Sequence, residues 1–252
     1  MSFQEYKLNY FNEAIMKQLT ILIFLSFFLM FCTQSSDPES PRSTAAKDII
    51  ILEDDGTQDS IMTILTNAGF KVDLGGPYWL YTGNNLQNYR TVLFLNGVEW
   101  VQIMPDSVQQ KIRTFVQNGG SLISTEWISW SGATNQIIND ILPVIYGNMW
   151  DVGTEMYYKQ ISHPISLGLP DSFQVSDGWS FSLTVLNHTN LNQAQTIFTG
   201  SQSGAAVTTG VYGKGNVIHW NMGGHYNGAD IWDYETETLL INIAQFAVDS
   251  AE

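Results

Sequence analysis

Residues 91–100 read TVLFLNGVEW, residues 101–120 VQIMPDSVQQKIRTFVQNGG and residues 121–127 SLISTEW. The run Thr91–Leu95 is apolar, rich in strand formers and stopped by Asn96-Gly97, the pattern of a strand buried on both faces. Pro105-Asp106-Ser107 opens a helix whose apolar positions Val108, Ile112, Phe115 and Val116 share one face. Asn118-Gly119-Gly120 closes it. Ser121–Thr125 is the next strand. A strand–helix–strand of this length is a βαβ unit, so the sheet is expected to be parallel, with its binding edge at the strands' carboxyl ends. Asn96, Glu99, Glu126 and Trp127 stand at those ends.

Upstream, Asp48–Leu52 predicts another buried strand, followed by the acidic turn Glu53-Asp54-Asp55-Gly56. Ile61, Ile64, Leu65 and Ala68 lie on one face of a helix that Gly69 ends, and Phe70–Leu74 predicts a second strand. Gly75–Tyr89 reads as an ordered surface loop. Downstream, Asn135–Leu142 predicts a short helix and Pro143–Lys159 an irregular aromatic stretch. Short strands are expected at Phe173–Trp179, Leu183–Leu186, Thr196–Phe198 and Ala205–Val211. Tyr212–Asn216 is a hairpin-type turn into Val217–Trp220. Residues 235–248 form a closing amphipathic helix. No repeat and no linker interrupts residues 47–250, which read as a single domain.

The N-terminal part has a different character. Met16-Lys17 precedes a 13-residue apolar run, Leu19–Phe31, that ends at Cys32. A membrane-spanning helix needs about 20 apolar residues, so the run has signal-peptide length. Residues 16–32 resemble a bacterial lipoprotein signal, which implies lipidation of Cys32 and an exported, membrane-anchored protein of the cell envelope. Simple secretion or a periplasmic location is the alternative. Residues 1–15 fit no signal-peptide start and are expected to be an artefact of start-site choice. Residues 33–46, rich in Ser, Thr and Pro, form a flexible tether.

The chain carries 10 Lys and Arg against 24 Asp and Glu, a net charge of −14, which disfavours nucleic acid as a partner. Three acids in the first turn, with no phosphate-cradling glycine pattern, disfavour a nucleotide, so no cofactor is expected. Residues 49–72 look like the opening of a response-regulator receiver. However, Asn96 stands where a phosphoacceptor aspartate would end the third strand.

Three separated blocks carry a resemblance. Phe115–Ile123 (FVQNGGSLI) is similar to a block of class I glutamine-amidotransferase-like domains. His163-Pro164-Ile165, Gly168-Leu169-Pro170, Phe173 and Asp177 resemble a block of the trehalose-utilisation (ThuA-like) branch. Gly213-Lys214-Gly215-Asn216-Val217, Gly224-His225 and Trp232 resemble that branch's closing block. The resemblance implies an α/β, flavodoxin-like three-layer sandwich with a mostly parallel central sheet. It also shows what is missing. Amidotransferases of this fold carry a cysteine at the strand-to-helix turn, where this chain reads Ser124-Thr125-Glu126-Trp127. The chain's single cysteine is Cys32. Thiolate hydrolysis of glutamine within the domain is therefore excluded. Glu126 stands near the place of the branch's usual histidine, and Gly178 stands where its glutamate follows Asp177.

The candidate ligand-binding residues are Glu53 and Asp54 after the first strand, with Asn96 and Glu99 after the third. Glu126 and Trp127 follow the fourth, Asp177 lies on the middle block, and Asn221 and His225 follow a late strand. If that strand is parallel and adjacent, they converge on one crevice. Three readings stay open. The domain binds a small polar ligand, for which a carbohydrate suits the acids, amides and tryptophans. Alternatively it is an enzyme acting on sugars through Glu53, Glu126 and His225, or an inert surface interaction protein. His225 with Asp230 or Asp233, or with His219, offers metal-ligand residue types without an established spacing, so no metal is expected.

Overall fold

The computed structural model describes residues 47–54, 59–96, 99, 101–130, 134–151, 154–176, 181–185, 191–202, 204–222 and 231–251. All belong to one compact unit, Arg42–Glu252. The signal segment, Cys32 and the tether lie outside the described residues, as do Asp177 and His225.

The central strands are β1 (Lys47–Glu53), β3 (Tyr89–Phe94) and β4 (Ser121–Thr125). Their runs of Ile, Leu and Val are buried on both faces, which is why they read as continuous apolar stretches. β2 (Val72–Pro77) lies parallel beside β1 on its outer side, and β4 and β11 (Gly215–Trp220) extend the parallel set beyond β3. The parallel order is thus β2-β1-β3-β4-β11. The late strand expected to be parallel and adjacent is β11.

Beyond β11 the sheet changes character. β10 (Gly204–Tyr212), β9 (Asn192–Gly200), β6 (Thr154–Lys159) and β7 (Ser172–Ser176) continue it with antiparallel pairings. β5 (Ile145–Asp151) pairs antiparallel with β8 (Phe181–Val185), which touches β10. The expected mostly parallel sheet is therefore corrected to a mixed one. The physical reason is the short turn at Gly213-Lys214, which can only join antiparallel neighbours. The irregular stretch expected over Pro143–Lys159 is also corrected, since it contains β5 and β6. In β6 the buried alternate positions are Glu155 and Tyr157, and a carboxylate facing inward hides the period-two signal. Glu155 is kept there by the Gln202 backbone N–H, 2.8 Å from its Oε1.

Helices cover both faces. α1 (Asp59–Asn67) and α5 (Tyr234–Asp249) enclose one core with Ile49, Ile51, Leu93 and Ile218. α2 (Asp106–Gln117) and the short α4 (Gln136–Asn139) enclose the other with Ile50, Leu52, Val92 and Phe94. Gln109 joins them: its Nε2 donates to Met104 O at 2.8 Å, and its Oε1 accepts from Ile137 N at 3.2 Å. α3 (Glu126–Trp130) follows β4 directly. The stretch expected as a surface loop, Gly75–Tyr89, instead sends Tyr78, Tyr81, Leu86 and Tyr89 into the second core. Their phenols keep polar partners, such as Asn85 Oδ1 at 2.6 Å from Tyr81 Oη and Asp73 Oδ2 at 2.8 Å from Tyr89 Oη.

The sequence blocks that carry the resemblance are packing devices. A Cβ at Gly215 would collide with the carbonyl oxygens of Gly120 and Val116, so the glycine turn and the glycine corner meet backbone to backbone. His163 Nδ1 accepts from Ile165 N at 3.2 Å, and its ring meets Phe246 of α5 at 4.7 Å. Asn242 of α5 donates to Leu167 O at 2.8 Å. The His-Pro-Ile block thereby docks the connection between β6 and β7 onto α5.

Candidate functional site

From β1 the chain crosses outward to β2, and from β3 it crosses to β4 on the other side. The order therefore reverses between β1 and β3, and the crevice outside their carboxyl ends is where such sheets bind ligands. Glu53 and Asp54 end β1 here, and Leu95-Asn96 ends β3. The ladder continues one step past β3, through Leu95 N to Leu52 O at 3.0 Å. The next amide turns toward β4: Asn96 N donates to Thr125 Oγ1 at 3.2 Å, and that hydroxyl donates to Phe94 O at 3.2 Å.

Asn96 is 0% exposed, and neither its Oδ1 nor its Nδ2 has a hydrogen-bond partner. An orphaned buried polar group costs about 1–3 kcal/mol, so this amide holds unused recognition capacity at the switch point. Asp54, also 0% exposed, accepts from Glu99 N through Oδ1 at 2.7 Å. It thus braces the residue-99 turn. Tyr78 Oη donates to Glu99 O at 2.6 Å and to Gln102 O at 3.1 Å. Burial, then the Asp54 and Glu99 charges, raise the Tyr78 pKa, so the phenol stays a donor. Glu53 is half-buried and lies toward β2, its Oε1 being 3.9 Å from a Cβ placed on Gly76.

The other sequence candidates divide. Glu99 contributes its backbone, and its Oε2 accepts from Gln102 Nε2 at 3.3 Å. Trp127 lies on α3 rather than in a loop and is half-buried. Glu126 opens α3, and its side chain lies outside the described residues. Asn221 is 0% exposed and tied into the first core: its Oδ1 accepts from Tyr157 Oη, which accepts from Trp220 Nε1 at 3.2 Å. The structure thus gathers Asp54, Asn96 and Glu99 at one edge, with Glu53 beside them, and places Asn221 in a separate buried network.

One pair escaped the sequence reading. His219 in β11 and Ser124 in β4 are register partners, with Nδ1 and Oγ 2.9 Å apart and both residues 0% exposed. Burial drives the His219 pKa down to about 3, so the imidazole is neutral. A histidine inside the apolar run Val217–Trp220 was the available signal.

The mixed α/β architecture is similar in fold to those of ThuA-like proteins and glutamine amidotransferases. Solved structures of similar fold include a ThuA-like protein from Bacteroides uniformis, with a TM-score of 0.64 at 13% identity over 82% of this chain and 93% of that one. A ThuA-like protein from Parabacteroides merdae has a TM-score of 0.61 at 17% identity, over 82% and 91% of the two chains. A glutamine amidotransferase from Thermotoga maritima has a TM-score of 0.51 at 16% identity, over 70% and 75%. At these identities the likeness is one of fold. No family model and no curated protein matches the chain.

Proposed function

We propose that the chain is an exported, lipid-anchored ThuA-like domain that binds a carbohydrate in the crevice between β1 and β3, without amidotransferase activity. The observation that carries this reading is the Asn96 side chain, whose donor and acceptor are both unused at 0% exposure. A primary amide offers hydrogen bonds of both polarities without charge, as recognition of a hydroxyl group requires. The carboxylates of Glu53 and Asp54 and the net charge of −14 favour a neutral ligand over an anionic one. The absence of any cysteine after Cys32 removes the nucleophile that glutamine hydrolysis would need.

A glycan array probed with the purified full chain tests the proposal. Binding of at least one neutral glycan is expected, weakened at least tenfold in Asn96→Leu. The same variant, having lost an orphaned amide, should unfold at a temperature no lower than the parent protein. Absence of binding to any glycan, or undiminished binding by Asn96→Leu, would sink the reading.

A further inference from the structure

Ser124, His219, Thr208 and Thr196 are successive register partners across β4, β11, β10 and β9. Cross-strand partners project from the same face of a sheet. That face is the one covered by α2, because Leu122 and Val217, two residues earlier in β4 and β11, belong to the second core. Four neighbouring strands thus present an unbroken polar row inside an otherwise apolar layer.

The row is poorly satisfied from within. Ser124 Oγ lies 3.3 Å from Ile218 O and 2.9 Å from His219 Nδ1. The arrangement that uses both contacts has Nδ1–H donating to Oγ and the hydroxyl donating to Ile218 O. Nε2 is then an acceptor. His219 Nε2, Thr208 Oγ1 and Thr196 Oγ1 are all buried and without partners. Each of these three atoms forgoes in the unliganded protein the hydrogen bonds it would make in water. No charged group belongs to the row, and burial keeps the imidazole neutral. A charged ligand here would lose its hydration without gaining a counter-ion.

We propose that this row is a binding site for a neutral polyol, separate from the β1/β3 crevice. One ligand hydroxyl donates to His219 Nε2, and adjacent hydroxyls exchange hydrogen bonds with Thr208 and Thr196. Ser124, His219 and Thr208 are 0% exposed and Thr196 is half-buried, so binding is slow and measurements follow long equilibration.

The test uses the full chain with glycerol and D-glucose as probes at millimolar concentrations, where non-specific osmolyte stabilisation is small. A saturable rise in Tm is expected for at least one probe, with movement of the His219 Nε2 nitrogen resonance in 15N spectra. Thr208→Val should raise Tm in the absence of polyol, because it removes an unpaired hydroxyl, and should weaken the polyol response at least tenfold. Thr196→Val gives a second reading of the same kind. Lack of any saturable rise would overturn the proposal. So would a fall in Tm in both valine variants, the sign of hydroxyls bridged by ordered water alone.

Discussion

His219 should make the domain acid-sensitive by an amount that can be calculated. Its ordinary pKa of 6.5 returns on unfolding, whereas burial holds it at about 3 in the native state. For a base with a depressed folded pKa, the unfolded state takes up the proton first as pH falls. The native state is therefore at full advantage above pH 6.5 and loses ground progressively down to about pH 3. Each pH unit within that window is worth about 1.4 kcal/mol. Between pH 8 and pH 5 the unfolded chain gains about 1.5 units of binding, or about 2 kcal/mol, equivalent to about 4–8 °C in Tm for a domain of this size. The assay is urea unfolding of the parent chain and of His219→Gln across this range. The difference between the two cancels the background from carboxylates and from His163, whose pKa burial also lowers. The parent should lose about 2 kcal/mol more than the variant. In NMR titrations the His219 ring should remain neutral well below pH 5. Parallel pH profiles for the two proteins, or a ring that titrates near its ordinary value, would refute the reasoning.

Two further outcomes follow from other parts of the chain. Gly215→Ala places a methyl group against the carbonyl oxygens of Gly120 and Val116. It should cost about 2–3 kcal/mol in urea unfolding, and an unchanged midpoint would contradict the backbone-to-backbone contact. Cys32→Ala should abolish incorporation of radiolabelled palmitate in a bacterial host, whereas unchanged labelling would remove the lipid anchor from the proposed function.

What could be read from the sequence was what backbone packing demands. Ile49–Leu52 and Thr91–Leu95 are buried on both faces, so their apolar runs admit no other reading, and Gly120, Gly213 and Gly215 are legible because a Cβ at each would meet other atoms at under 3 Å. The antiparallel half was harder to see. Glu155 points inward and breaks the alternation of β6, and Tyr78 and Tyr81 carry hydroxyls that made a core-forming stretch look like surface. The site was legible only in part. Loop position singled out Asn96, Asp54 and Glu99, since strand ends at a switch point are fixed by topology. Asn221, equally well placed in sequence, is spent on Tyr157, a pairing 64 residues away in the chain. His219 was weighed in sequence only beside His225, and its pairing with Ser124, 95 residues away in the chain, is set by the β4–β11 register.

The described parts of the blocks that resemble ThuA-like proteins lock β11 to α2 and the β6–β7 connection to α5. Their agreement therefore speaks to architecture and is silent about chemistry. Among the described residues, buried polar atoms without partners occur at Asn96 on the edge and at His219, Thr208 and Thr196 on one sheet face, and singly at Thr91, Ser121, Thr209 and Thr236. Retaining unmet polar atoms costs stability in the unliganded protein. Where such atoms line up at the switch point and along one row of the sheet face, a ligand's hydroxyls would supply the missing partners together. The valine and leucine variants at those positions should accordingly gain stability where they lose ligand.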